Sequence, residues 1–121
     1  MIGRVAIALL ALGCCAAQAG EADVIGAVAH RTAKGVYDLD VTVRSRDTGW
    51  DRYADRIEVL GPDGAVLATR VLDHPHETEQ PFTRDVPQVQ VPSGIDTVTI
   101  RAHFKPAGFD GAVFALVLNG K

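Results

Sequence analysis

Cysteine is missing from everything beyond residue 15: the chain's two, Cys14 and Cys15, are adjacent and close to the N-terminus. The rest of the chain therefore has no thiolate nucleophile, no thiolate metal ligand and no disulfide, and a domain of ~100 residues must be held by its core alone. Apolar runs are short. None approaches the roughly 20 residues that a bilayer-spanning helix needs, so a transmembrane protein is not expected. Positive charge is in deficit, with 12 Lys and Arg against 15 Asp and Glu and a net charge of -3. Binding to nucleic acid is driven by cations that neutralise phosphates, so no nucleic-acid partner is expected. Catalytic motifs are also lacking: there is no Gly-x-Ser-x-Gly elbow and no phosphate-cradling glycine loop. With 47% hydrophobic and 22% charged residues, the chain is too apolar to be disordered.

The N-terminus has the layout of an export signal. Arg4 supplies the positive region, residues 5–12 the apolar one, and Ala17-Gln18-Ala19 a small-residue cleavage site. Residues 1–19 are expected to be a cleavable signal peptide and residues 20–121 a single domain in the periplasm. The alternative is a lipoprotein: Leu12-Gly13 precedes Cys14, which would then be lipidated and retained, although Ala11 stands where such signals usually carry a larger aliphatic residue.

Past the signal the hydrophobic pattern has a period of two. Tyr37, Leu39, Val41 and Val43 alternate with Asp38, Asp40, Thr42 and Arg44, and Val98, Ile100, Ala102 and Phe104 alternate with Thr97, Thr99, Arg101 and His103. Successive strand side chains point to opposite faces, so both segments read as half-buried strands. Residues 56–60 and 65–72, joined by Gly61-Pro62-Asp63-Gly64, read as a hairpin, since proline presets φ and Asp-Gly tolerates positive φ. Residues 23–29, a short 88–91 and a more continuously apolar 112–118 complete seven strands. The only helical feature is a single turn across residues 51–54. The fold class is all-β, an antiparallel two-sheet sandwich.

Strand number and spacing over residues 23–119 resemble an immunoglobulin-like or fibronectin-III-like sandwich, without the antibody-type cysteine pair. More narrowly, Asp47-Thr48-Gly49-Trp50-Asp51 with Tyr53-Ala54-Asp55, Pro62-Asp63-Gly64, and His74-Pro75-His76 running into Glu79-Gln80-Pro81-Phe82-Thr83-Arg84 resemble a small, uncharacterised family of exported bacterial proteins. That resemblance implies a compartment and a fold but no activity.

The densest set of chemical groups is residues 73–79, with two imidazoles and three carboxylates. Pro75 favours extended backbone at His74, which puts His74 and His76 on one side. Together they could supply two nitrogens to zinc or copper, with Glu77, Glu79, His103 or His30 completing the set. The plain alternative is a polar loop stiffened by proline. Arg44, Arg46, Asp47, Asp51, Arg52, Asp55 and Arg56 read as a solvated, salt-linked surface, and their aspartates do not have EF-hand calcium spacing. Trp50, Tyr53 and Phe82 read as plugs closing one end of the sandwich; if exposed together, they would form a partner-binding patch with Gln80 and Arg84.

No catalytic residue is assigned. Ser45, His30 and Asp47 would be an arbitrary triad, and the Glu77/Glu79 pair has no evident enclosed pocket. The sequence thus points to a non-enzymatic periplasmic module that docks with an envelope protein. The alternative is a copper- or zinc-binding protein using His74 and His76, and a hydrolase ranks behind both.

Overall fold

The computed structural model describes residues 19–118. Of the leader expected over residues 1–19, residues 1–18, with both cysteines, lie outside the described residues. Seven strands follow in chain order: β1 (Ala22–Ala33), β2 (Val36–Ser45), β3 (Tyr53–Leu60), β4 (Val66–Val71), β5 (Phe82–Gln90), β6 (Thr97–Lys105) and β7 (Phe114–Val117). They form two antiparallel sheets, ordered β1-β2-β5 and β4-β3-β6-β7. Among the described residues no helix is long and apolar enough to cross a membrane.

The two alternating segments occupy the central strands, where a period of two has most effect. On β2, Leu39, Val41 and Val43 are fully buried, and on β6 so are Val98, Ile100 and Phe104. They meet Ile57 and Val59 from β3 and Phe82, Val86 and Val89 from β5 to fill the space between the sheets. The β3–β4 hairpin closes through the expected turn chemistry. The Gly61 N–H donates to the Ala65 carbonyl at 2.9 Å, the Asp63 carboxylate accepts from the Ala65 N–H at 3.1 Å, and Gly64 has φ of 89°.

Several boundaries differ from the sequence reading; the last strand spans only Phe114–Val117, against the expected residues 112–118. Residues 51–54 hold no helical turn. Thr48 N–H donates to the Arg52 carbonyl and Arg52 N–H to the Gly49 carbonyl, at 2.9 and 3.1 Å, making a tight reversal with Trp50 and Asp51 at its tip. Strand β3 starts immediately afterwards at Tyr53. Strand β5 begins at Phe82, six residues before the expected position, because its alternation is masked: Arg84 stands between the inward Phe82 and Val86, and Gln88 takes φ of 52° beside a register shift opposite Tyr37 and Leu39. Strand β1 is longer than expected and has a bulge between Val24 and Gly26. Before the bulge, Ala22 and Val24 N–H groups also donate to the carbonyls of Asp110 and Ala112, at 3.0 and 2.9 Å. The first residues of β1 thereby bridge to the segment leading into β7 and tie the two sheets together.

On the opposite side, β4 and β5 are the outer strands. Arg70 of β4 reaches across to Asp85 of β5, NH1 to Oδ1 at 3.3 Å. Together with Pro87 and the irregular Gln88, this charged bridge makes a poor template for further strand pairing.

Candidate functional site

At one end of the sandwich the β2–β3 reversal (residues 46–52) meets the β4–β5 connection (residues 72–81), and Asp47 fastens them together. Its side chain is inaccessible to solvent. Oδ1 accepts the Ser45 hydroxyl at 2.6 Å and the Ala54 N–H at 3.0 Å, and Oδ2 accepts the His76 N–H at 2.8 Å. Gln80 adds a second clasp. Its Oε1 accepts the Ser45 N–H at 2.8 Å, and its Nε2 donates to the His76 carbonyl at 2.8 Å and to Ser45 Oγ at 3.2 Å. Both backbone groups of the buried His76 are thus answered by side chains, as burial requires.

His76 is 4% exposed and lies flat on Phe82, with ring centroids 4.0 Å apart and planes 10° from parallel. Its Nε2 is 2.9 Å from Arg84 NH2. A guanidinium can only donate, so Nε2 is the acceptor and the ring proton sits on Nδ1. Nδ1 is buried without a hydrogen-bond partner, 3.9 Å from Asp47 Oδ2. Burial, together with the Arg84 and His74 charges, holds the His76 pKa below its ordinary value of 6.5, against weaker opposition from Asp47 and Glu79. Arg84 also bonds Glu79, NH2 to Oε1 at 3.1 Å, and that hydrogen bond keeps the Glu79 carboxyl below its usual range.

A depressed folded-state pKa means that the unfolded chain binds the proton more readily, so stability is fully present above pH 6.5 and declines as pH falls through the lowered folded value. Urea midpoints measured from about pH 7.5 downward are expected to drop across that window. His76→Phe, which keeps a flat ring on Phe82 but cannot titrate, is expected to flatten that part of the profile. A wild-type profile no steeper than the variant's would remove His76 as the source.

The two histidines of the sequence reading do lie side by side, with ring centroids 4.6 Å apart and planes tilted by 40°, but their nitrogens are differently committed. His74 is exposed and donates from Nδ1 to its neighbour's carbonyl, that of Pro75, at 2.9 Å, leaving Nε2 open. His76 has given Nε2 to Arg84. Glu77 lies against Gly49, where a Cβ would come within 3.5 Å of Oε2. His103 belongs to another constellation, on the outer face of the four-stranded sheet. It bonds Asp55, Nδ1 to Oδ1 at 2.6 Å, and packs edge-on against Phe109 at 4.9 Å. His30 pairs with Asp40, Nε2 to Oδ2 at 3.2 Å. Among the described residues no group of three or more His, Asp or Glu side chains is arranged to hold a metal ion.

The aromatic candidates separate as well. Trp50 is 62% exposed, while Phe82 is 1% exposed and belongs to the core. Tyr53 is half-buried; it packs edge-on against Trp50 at 5.6 Å, and Lys105 Nζ lies 5.8 Å from its ring centroid. Gln80 is engaged in bracing the loop, and Arg84 is half-buried over Phe82, 5.6 Å from its ring centroid. Only Trp50 of the five presents a large apolar surface to solvent.

Sequence reasoning overlooked the network beside His103. Burial pushes the Glu58 carboxyl up, but hydrogen bonds and charges from Arg56 and Arg101 outweigh it and hold the group below its usual range. Arg101 donates to Oε1 from Nε and NH2 at 3.0 and 2.8 Å, and Arg56 Nε donates to Oε2 at 2.9 Å. Arg101 also stacks on Phe109, 3.6 Å from its centroid. Glu58 and Arg101 stand on the outward positions of adjacent strands, a signal visible only once β3 and β6 are paired.

No protein family model matches the chain, and no solved structure matches it. A curated relative from Halomicrobium mukohataei, named "Putative lipoprotein", is 34% identical over 91 residues, which are 75% of this chain and 44% of that protein. The chain is similar to that protein over less than half of its relative's length.

Proposed function

We propose that the chain is an exported, non-enzymatic β-sandwich module, immunoglobulin-like in its strand arrangement, that docks with an envelope protein through the Trp50 tip. The observation that carries this reading is an indole 62% exposed on a turn that is otherwise tightly braced. Asp47 and Gln80 fix the backbone on both sides of the tip, so little conformational freedom is lost on binding, and a preorganised aromatic anchor is the usual centre of a binding hot spot. Export is supported by the signal-like residues 1–19 and by the name of the relative; a periplasmic location follows if the leader is cleaved. In the alternative copper- or zinc-binding reading His74 offers an exposed Nε2, and His76 would have to leave Arg84 to offer its own.

Trp50 is the chain's single tryptophan, so its fluorescence reports on the tip without labelling. Wild-type protein immobilised over solubilised envelope fractions is expected to retain a partner and to show a blue-shifted indole emission in the complex. Trp50→Ala is expected to weaken retention by at least about tenfold, the range of an aromatic hot spot, while changing stability by no more than about 0.5 kcal/mol, as surface substitutions do. Equal retention by both proteins would remove Trp50 from the interface.

A further inference from the structure

Among the described residues, Asp23 is a buried carboxylate without a cation. It is 3% exposed. Its Oδ1 accepts the Ala112 N–H at 2.7 Å and lies 3.0 Å from the Gly20 nitrogen, with Oδ2 3.3 Å from the same nitrogen. Among the described residues no Lys, Arg or His nitrogen stands within ion-pair distance of it. Burying a carboxylate on amide donors alone is costly, and an opposite charge at hydrogen-bond distance is the ordinary remedy.

Gly20 is seated tightly. A Cβ at this position would come 2.4 Å from the Gly111 Cα and 2.7 Å from the Asp110 carbonyl oxygen, so the slot admits only glycine. Ala19 immediately before it is exposed. The charges facing the Gly20 nitrogen come from each neighbouring element. Asp23 stands on β1, and Asp110, on the segment before β7, accepts the Glu21 N–H at 3.3 Å. Glu21 is already taken by Arg52, at 3.0 Å. Arg44 lies opposite Asp23 on β2 but forms no ion pair with it. Asp23 is thus the carboxylate in contact with this nitrogen, and Arg44 lines the same cleft as Ala19 and Asp23 without pairing with it.

We propose that hydrolysis between Ala19 and Gly20 supplies the missing cation, so that maturation of the chain completes an internal ion pair. This rests on the cleaved-leader reading above. Water adds across the Ala19–Gly20 amide: the C–N bond breaks, a C–O bond forms, Ala19 leaves as a carboxylate, and the Gly20 nitrogen takes up the released protons as an α-ammonium. That ammonium stays where the amide nitrogen was, on both Asp23 oxygens. A charge-assisted pair replaces a neutral donor at the same distances, which is the stronger bond. Lipidation at Cys14 would instead leave Gly20 as an interior amide, and the pair would not form.

The Asp23 carboxylate raises the ammonium's pKa in the folded state above the roughly 7.7–8.0 of a free α-amine. Its contribution is then complete below about pH 7.7 and is lost as pH rises through the raised value. The test uses the full-length gene, exported and purified from the envelope fraction, with half the product selectively acetylated at its N-terminus. Intact mass is expected to show a chain starting at Gly20. At about pH 6.5 the free-amine form is expected to have a folding equilibrium about tenfold more favourable than the acetylated form, equivalent to one pKa unit, with the gap closing above about pH 9. Asp23→Asn is expected to erase the gap. A mass retaining residues 14–19 would overturn the leader reading and the proposal with it. A Gly20 start with identical urea midpoints for the free and acetylated forms would overturn the ion pair alone, as would a gap that persists in Asp23→Asn.

Discussion

Phe82→Ala is expected to destabilise the domain by about 3–5 kcal/mol, the usual cost of truncating a buried phenylalanine. For a domain of this size that is much of the about 5–15 kcal/mol available, so the variant is expected to be marginally folded at best. The size of the effect follows from position. Phe82 is 1% exposed and opens β5, paired with Val43 of β2. Its ring carries His76 at 4.0 Å on one side and lies within 5.6 Å of the Arg84 guanidinium. Alanine would leave a cavity and also remove the floor on which the β4–β5 connection is laid. Phe82→Leu separates these contributions: it keeps most of the volume but loses the flat face, and a smaller loss of about 1–2 kcal/mol is expected. Urea unfolding checks both, and a midpoint for Phe82→Ala within about 0.5 kcal/mol of wild type would place the residue outside the core. The same variant bears on partner binding: weaker retention of Phe82→Ala would report a loosened tip, whereas Trp50→Ala tests the tip's surface itself.

What could be read from the sequence follows from how local each signal is. The alternation on β2 and β6 and the Gly61-Pro62-Asp63-Gly64 turn are short-range patterns that need no partner to be interpreted, and all three elements occur where they were expected. Strand β5 was hard to delimit because Arg84 occupies an inward position, which is tolerable only where the sheet meets its edge and the guanidinium can reach His76 and Glu79. The proximity of His74 and His76 was legible from His-Pro-His alone. The commitment of the second ring was not, since it depends on Arg84 and Asp47, 8 and 29 positions away. In sequence Asp47 reads as one member of a solvated charge cluster. Nothing in its neighbourhood of arginines and aspartates distinguishes the carboxylate that is wholly buried from Asp51, which is exposed, or Asp55, which is half-buried on His103.

That inward carboxylate supports the second large effect. Asp47→Ala is expected to cost about 3 kcal/mol, because it leaves two backbone donors, Ala54 N–H and His76 N–H, without their acceptor at a buried site, each worth about 1–3 kcal/mol when orphaned. The Ser45 hydroxyl loses its partner at 2.6 Å as well. At about 4–8 °C per kcal/mol for a domain of this size, the melting temperature is expected to fall by roughly 12–24 °C. Asp47→Asn should be milder, since its carbonyl oxygen still accepts one N–H while the amide group now faces a second donor. The loss should also be spatially uneven. Hydrogen exchange is expected to accelerate first at residues 46–54 and 72–81, which Asp47 joins, and least at the central residues of β2 and β6, whose burial does not depend on it. A uniform acceleration over all seven strands would make Asp47 a contributor to global stability and not the clasp of one end. If the clasp does open locally, the Trp50 indole loses the rigid mounting on which the proposed docking surface depends. Asp47→Ala should then weaken partner retention at temperatures where the sandwich itself is still folded.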